Sequence, residues 1–151
     1  MKPYKLALIP ASILAMSTAL HAQTMADDVV FEDGAVAASL TGTPGDPASG
    51  RKVFSNRKQG NCLACHQNSD MPEFPFHGEV GPPLDGVADR YTEAELRGIL
   101  INSKMTFEDT IMPSFYRTKN GARPLKKFEG KTILTAQQIE DVLAYLKTLK
   151  E

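Results

Sequence analysis

The residues best suited to chemistry form one short motif, Cys62-Leu63-Ala64-Cys65-His66. Two thiols three positions apart, followed at once by a histidine, make the pattern to which a c-type haem is attached. The thiols form thioethers with one porphyrin, and the histidine supplies an imidazole nitrogen to its iron. The motif therefore predicts one covalently bound haem c, anchored by Cys62 and Cys65, with His66 as an axial ligand.

Zinc binding and thiol redox chemistry are two other uses of closely spaced cysteines. A zinc site needs about four ligands, but this sequence has no second closely spaced pair, and His77 is the one further donor near the motif. A thioredoxin-like thiol pair belongs to a βαβ context, which the sequence does not show. Both chemistries remain minor alternatives to haem attachment.

Five side chains could supply the second axial ligand of the iron: Met25, Met71, Met105, Met112 and His77. Met112 is favoured because Pro113 pushes the preceding residue towards an extended backbone, and the flanking Ile111 and Phe115 are able to pack on a porphyrin. Met105 is interpreted as a packing residue at a helix end, and His77 as a weaker alternative. A thioether ligand raises the reduction potential and fills the coordination site, which argues against oxygen or peroxide chemistry.

A rigid loop, Gly81-Pro82-Pro83-Leu84, follows the motif and cannot be helical. Its carbonyl groups are free to accept the proton on the far ring nitrogen of His66. Such a bond fixes the orientation and basicity of a metal-bound imidazole. Pro82 is the candidate acceptor, and a simple turn without this role is the alternative.

The first 22 residues have the pattern of a secretory signal peptide. Lys2 and Lys5 precede an uncharged apolar run over residues 6–20, and Ala22 suits the position before a cleavage site. The alternatives are cleavage after Ala26 or an uncleaved anchor, but the run is shorter than the ~20 residues that a spanning helix needs. The sequence predicts an exported protein whose mature form has no membrane span.

The composition excludes several broad classes of protein. The 151 residues suit one ordinary domain, and the net charge of −1 gives no footprint for nucleic acid binding. Two cysteines cannot make a disulfide framework. Tryptophan is absent and only 7% of residues are aromatic, so a porphyrin would be the largest apolar object in the core.

The helical signals lie in residues 47–151, which we expect to form one domain after an acidic, flexible segment outside the core, residues 23–46. Asp46 and Pro47 begin a helix that runs to about Arg57. Later helices begin at two capping boxes, and no run of residues alternates as a strand. The capping boxes pair Thr92 with Glu95 and Thr135 with Gln138.

The last helix shows the clearest apolar periodicity, which continues to Leu149. We expect Tyr145 and Leu146 to cross the first helix at Gly50 and Phe54, because a glycine lets two helix axes approach. The predicted fold is all-α, with about three to five helices around one haem.

A basic stretch lies between Phe115 and Thr132, with six basic residues against a single acidic one. The six are Arg117, Lys119, Arg123, Lys126, Lys127 and Lys131. A solvated loop and a docking surface near the methionine side are the two interpretations, the second because opposite charges speed encounter.

Five stretches of the chain together resemble the SoxX family, the small monohaem subunit of the SoxAX cytochrome of bacterial thiosulfate oxidation. They are GNCLACH (60–66), GEVGPPLDG (78–86), YTEAELRGILIN (91–102), TIMPSFY (110–116) and LTAQQIEDVLAYL (134–146). The resemblance implies a class I cytochrome c-like domain, with thioethers at Cys62 and Cys65 and axial ligands at His66 and Met112.

The resemblance also implies a partner and a reaction. The expected assembly is a periplasmic heterodimer with a SoxA-like cytochrome, which as an L-cysteine S-thiosulfotransferase joins thiosulfate oxidatively to a cysteine of a SoxYZ-like carrier. The sulfur chemistry belongs to the partner, since haem attachment uses both cysteines of this chain. This chain is expected to be a non-catalytic subunit that passes electrons to a downstream cytochrome. The alternatives are a free-standing soluble shuttle cytochrome and a haem-based sensor.

Overall fold

Four α-helices carry the fold in the computed structural model, which describes residues 22–119, 121 and 123–151. They are α1 (Pro47–Ser55), α2 (Val87–Arg90), α3 (Glu93–Asn102) and α4 (Ala136–Leu146), with 3₁₀ turns at Cys62–Ala64, Ser103–Met105 and Lys126–Phe128. The described residues contain no strand beyond an isolated bridge between Glu32 and Ala35. The predicted all-α fold is confirmed, while the predicted signal peptide lies almost wholly outside the described residues.

The helices begin where their capping residues place them. The Asp46 side chain accepts hydrogen bonds from the amides of residues 48 and 49 at the start of α1. Thr92 with Glu95 caps α3, and Thr135 with Gln138 caps α4, both with reciprocal bonds. These caps satisfy amide groups that have no partner inside the helix.

Helices α1 and α4 cross at a glycine. A Cβ atom on Gly50 would lie 1.9 Å from the carbonyl oxygen of Asp141, so only glycine permits this approach. One turn along, the rings of Phe54 and Tyr145 meet edge to face with centroids 5.5 Å apart, a favourable arrangement. The crossing fixes the direction in which α1 delivers the chain to the cysteine motif.

The segment 23–46 contributes to the core, which contradicts the expectation of an acidic segment outside it. Ala26, Val36 and Leu40 are buried in the main hydrophobic cluster. The acidic side chains of this segment remain exposed, as at Asp27 and Asp28. Its apolar residues have no regular spacing, so no helix or strand pattern marked them as part of the core.

A buried ion pair ties this segment to α3 and α4. Arg97 Nε lies 3.1 Å from a carboxylate oxygen of Glu140, and both side chains are buried. The Arg97 guanidinium also donates to the carbonyl of Val36 at 3.0 Å, and the amide of Leu40 donates to Glu140 at 2.8 Å. Charges removed from water are tolerated only when their hydrogen bonds are satisfied in this way.

In the described part of the chain, no helix combines the length and apolar character needed to cross a bilayer.

Candidate haem-binding site

The cysteine motif forms a tight turn directly after α1. The amides of Cys65 and His66 both donate to the carbonyl of Cys62, at 3.0 and 2.9 Å. Asn61 enters the turn in the left-handed conformation, with φ of 52°, which asparagine tolerates better than most residues. Residues three apart in a 3₁₀ turn lie on the same side, so the turn presents Cys62 and Cys65 together.

The thiol of Cys62 is protected from ionisation. The residue is half-buried, and the enclosure of its sulfur by protein atoms raises the pKa of Cys62 to about 12. A thiol that stays protonated is a poor nucleophile, so this environment disfavours thiol redox chemistry at Cys62. Among the described residues, no group of three or more His, Cys, Asp or Glu side chains is arranged to hold a metal ion.

A second loop, residues 78–84, runs alongside the cysteine motif and is bonded to it along its length. The amide of Gly78 donates to Leu63 at 2.8 Å, and the amide of Gly81 donates to Cys65 at 2.8 Å. The amide of Leu84 donates to the carbonyl of Gln67 at 2.9 Å. The sequence predicted a rigid loop here but not this pairing.

The two glycines of this loop are required by its closeness to the motif. A Cβ atom on Gly78 would lie 2.1 Å from the carbonyl oxygen of Ala64, and one on Gly81 would lie 2.3 Å from Cε1 of His66. Gly81 therefore brings its backbone against the imidazole ring. The two glycines three positions apart were visible in the sequence. That they allow a close approach could be seen only once the cysteine motif was placed beside them.

The ring of His66 is oriented by the carbonyl of Pro82. Nδ1 of His66 lies 2.7 Å from this oxygen, and because a carbonyl only accepts, Nδ1 carries the proton. The other ring nitrogen, Nε2, then holds a lone pair, which is the form that binds iron. The contact expected from the sequence is present.

His77 is committed to its own loop. Its Nδ1 accepts from the amide of Asn68 at 3.2 Å, and its Nε2 lies 3.1 Å from the carbonyl of Met71. Both nitrogens are therefore engaged, and neither is left for iron. The side chain of Met71 is fully buried in the protein core.

Met112 is held more closely than Met25 and Met105, the two exposed candidate methionines. Its side chain is half-buried and packs against the hydrophobic cluster. Its carbonyl accepts a hydrogen bond of 2.8 Å from the Ser103 hydroxyl. Met25 and Met105 are 64% and 49% exposed, so neither is placed by packing.

Apolar side chains beside both loops are left open to solvent. Val80, next to Gly81, is 65% exposed, and Ile111, next to Met112, is 80% exposed. Large apolar side chains in this setting are suited to cover a bound group. Together with the paired cysteines and the Nε2 atom of His66, they fit one covalently bound haem c.

The basic stretch lies beyond Met112 and is largely exposed. Its central part is the 3₁₀ turn Lys126–Phe128, where the ammonium of Lys127 lies 4.5 Å from the centroid of the Phe128 ring. A cavity of about 550 Å³ has Lys104, Arg117 and Lys119 on its wall, beside Ile111 and Pro113. Positive charge is thus concentrated near the loop that carries Met112.

Comparisons with known proteins bear on the family and the cofactor of this chain. Residues 47–150 match the family profile described as Cytochrome c. The chain is 51% identical to a chain in the crystal structure of SoxXA from P. pantotrophus, with a TM-score of 0.81, covering 86% of this chain and 100% of that one. It is less similar to the c-type cytochrome SorU from Sinorhizobium meliloti, at 26% identity and a TM-score of 0.45, covering 69% and 90% of the two chains.

A search of the curated proteins finds no match. The profile covers most of the chain, and the likeness to the SoxXA chain extends over that chain's whole length. The chain therefore belongs to the cytochrome c family, as a SoxX-like electron-transfer cytochrome with one covalently bound haem c.

Proposed function

We propose that this chain is the monohaem electron-transfer subunit of a heterodimeric SoxXA-type complex of thiosulfate oxidation. The partner is a SoxA-like cytochrome, and the complex joins thiosulfate oxidatively to a cysteine of a SoxYZ-like carrier protein. The observation that carries the proposal is the 51% identity over the full length of a chain from a SoxXA structure.

The division of labour follows from the cysteines. The chain has two, both in the haem motif, so after attachment no thiol is left to carry sulfur. The sulfur chemistry then belongs to the partner subunit. This chain accepts electrons and passes them to a downstream cytochrome.

The residues of the site divide the work of holding the haem. Cys62 and Cys65 would hold it covalently, and His66 and Met112 would ligate its iron. When bound, the haem supplies one-electron transfer at a potential that the thioether ligand raises. The Pro82 carbonyl keeps the proton on Nδ1 of His66, so that Nε2 would be the nitrogen available to bind the iron.

The mature chain is periplasmic and begins after Ala22. The Gln23 side chain donates to the Tyr116 hydroxyl at 3.0 Å, and the amide of Thr24 donates to Leu40 at 2.7 Å. Cleavage after Ala26 would remove these bonds and a buried alanine. Sequencing the amino terminus of the exported protein tests this, and a start at Asp27 would contradict it.

Co-purification from the native periplasm tests the assembly. The haem-loaded chain carrying an affinity tag is expected to retain a second c-type cytochrome through washes at high salt. A tagged unrelated monohaem cytochrome, expressed in the same cells, is the control. Elution of the chain alone, with full haem content, would favour the free-standing shuttle and contradict the heterodimer.

A further inference from the structure

The end of α3 is bonded to the loop that carries Met112. The amides of Phe115 and Tyr116 donate to the carbonyls of Leu100 and Ile101, each at 3.2 Å. The last carbonyls of a helix have no partner within it, and here the loop supplies donors. Two backbone hydrogen bonds therefore hold the loop against the end of α3.

Ser103 extends this set of hydrogen bonds to Met112. It is 0% exposed, and its hydroxyl donates to the Met112 carbonyl at 2.8 Å. The position of Ser103 is fixed in turn, because its own carbonyl accepts from the amides of Thr106 and Phe107 at 3.2 and 2.9 Å. A buried hydroxyl is costly without a partner, so this bond favours a single position for the Met112 backbone.

Lys104 offers a second donor to the same carbonyl, since its ammonium also contacts the Met112 oxygen. The lysine is exposed and must immobilise a long side chain to hold that contact, which opposes the gain. The short, buried hydroxyl of Ser103 loses less freedom. The geometry therefore favours serine over lysine as the stiffer anchor.

We propose that Ser103 is a positioning residue that keeps the Met112 thioether on the haem iron by holding the Met112 carbonyl. The proposal rests on the proposed role of Met112 as axial ligand. A soluble ligand such as imidazole competes with the thioether for the iron, so a loosened loop binds imidazole more tightly. Removing the hydroxyl loses this hydrogen bond and leaves the Met112 carbonyl with one donor fewer. We therefore expect the affinity for imidazole to rise roughly tenfold.

The experiment compares variants of the haem-loaded mature chain. Ser103→Ala removes the hydroxyl, Ser103→Thr keeps it, and Lys104→Gln removes the competing ammonium. Ser55→Ala is the matched control, because its hydroxyl bonds a helix carbonyl, that of Arg51 at 3.2 Å, away from the loop. Imidazole affinity of the oxidised protein, the near-infrared methionine-to-iron band and far-ultraviolet circular dichroism are followed for each.

We expect Ser103→Ala to bind imidazole about tenfold more tightly and to lose the methionine band on heating before the helices melt. Ser103→Thr should remain within about threefold of wild type, and Ser55→Ala should leave imidazole affinity unchanged. If Ser103→Ala does not accumulate, the isosteric variants Ser103→Thr and Ser103→Val isolate the hydroxyl in the same way.

Two results would overturn the proposal. One is an imidazole affinity in Ser103→Ala that equals that of wild type, and the other is a larger shift in Lys104→Gln than in Ser103→Ala. Met112→Ala separates this from the ligand assignment, because a methionine band that survives that substitution rejects Met112 itself. A band lost in Met112→Ala, together with a wild-type imidazole affinity in Ser103→Ala, rejects only the role of the serine.

Discussion

His66 is constrained on two sides by one short loop. The Pro82 carbonyl holds its Nδ1 atom at 2.7 Å, and Gly81 lies against its ring. A metal-bound histidine depends on such contacts for both its tautomer and its ring angle. The loop therefore decides how His66 presents Nε2 before any iron is bound.

Gly81→Ala should disturb this presentation. The added methyl would overlap the imidazole at 2.3 Å, so we expect the haem content per polypeptide to fall several-fold, measured by the absorbance of the pyridine haemochrome. Gly130→Ala is the control, because it sits at φ of +64° with no atom within 4 Å. Gly130→Ala strains the backbone but does so away from His66. If it lost as much haem as Gly81→Ala, general destabilisation would explain the loss in both variants.

Met112→Ala should vacate one coordination position of the iron. On the proposed ligation by His66 and Met112, reduced wild type is expected to bind carbon monoxide slowly. The variant is expected to bind it rapidly and to have a lower reduction potential. Stopped-flow absorbance and a redox titration measure the two effects. Rapid, complete binding by wild type at neutral pH would mean that the iron is not held by six ligands.

The sequence specified the residues of the site better than the contacts between them. The cysteine motif and the proline loop are local patterns, so they could be read directly. The roles of Gly78 and Gly81 could not, because a close approach is a property of two segments together. The bond from Ser103 to Met112 was missed for the same reason, since serine is an ordinary residue at a helix end.

At the scale of elements, the capping residues predicted where the helices begin more accurately than periodicity predicted where they end. Helix α1 stops at Ser55, not near Arg57, because Asn56 adopts an extended backbone with ψ of 115°. Helix α4 ends at Leu146, although its apolar pattern continues to Leu149. The segment 23–46 was misjudged because its charge is on the surface while three of its apolar side chains are buried.

Breaking the ion pair between Arg97 of α3 and Glu140 of α4 should destabilise the fold strongly. Arg97→Met leaves the buried Glu140 carboxylate unpaired, which we expect to lower the free energy of unfolding by about 3–5 kcal/mol. The double variant Arg97→Met with Glu140→Gln removes both charges but keeps an oxygen for the Leu40 amide. Urea unfolding should find the double variant more stable than Arg97→Met alone, and the reverse order would contradict this account.

Asp70 links the segment after His66 to α4 and α1, and it should make stability depend on acid. A hydrogen bond from Tyr145, followed by contacts with Arg51, holds the pKa of Asp70 below its usual value. A lowered folded-state pKa means stability that is present at neutral pH and is lost as pH falls below about 4. Urea unfolding of Asp70→Asn should therefore differ from wild type at pH 7 and converge with it in acid, whereas the exposed control Asp28→Asn should follow wild type throughout.

At the scale of the whole molecule, charge is distributed unevenly. The basic stretch follows the Met112 loop. An exposed acid of segment 23–46 contacts it where the Thr118 hydroxyl donates to Asp27 at 2.8 Å. An uneven field of this kind orients a charged partner during encounter.

Neutralising Lys126 and Lys127 should slow association with an acidic partner cytochrome without changing the haem spectrum. Stopped-flow electron transfer at low and high salt measures this, because screening removes the contribution of exposed charges. Lys58→Gln and Lys150→Gln, two exposed lysines outside the stretch, serve together as the control. Equal rates for both pairs at low salt would make the basic stretch a solvated surface only.

The bond between the Leu40 amide and Glu140 joins residues 100 positions apart, and the cysteine motif lies between them. A polypeptide that emerges from its amino terminus completes the motif long before Glu140 becomes available. The carboxylate that receives both the Leu40 amide and the Arg97 guanidinium is therefore supplied late in synthesis. Until it arrives, the amino-terminal segment and α3 have no common partner, so their enclosure waits for α4.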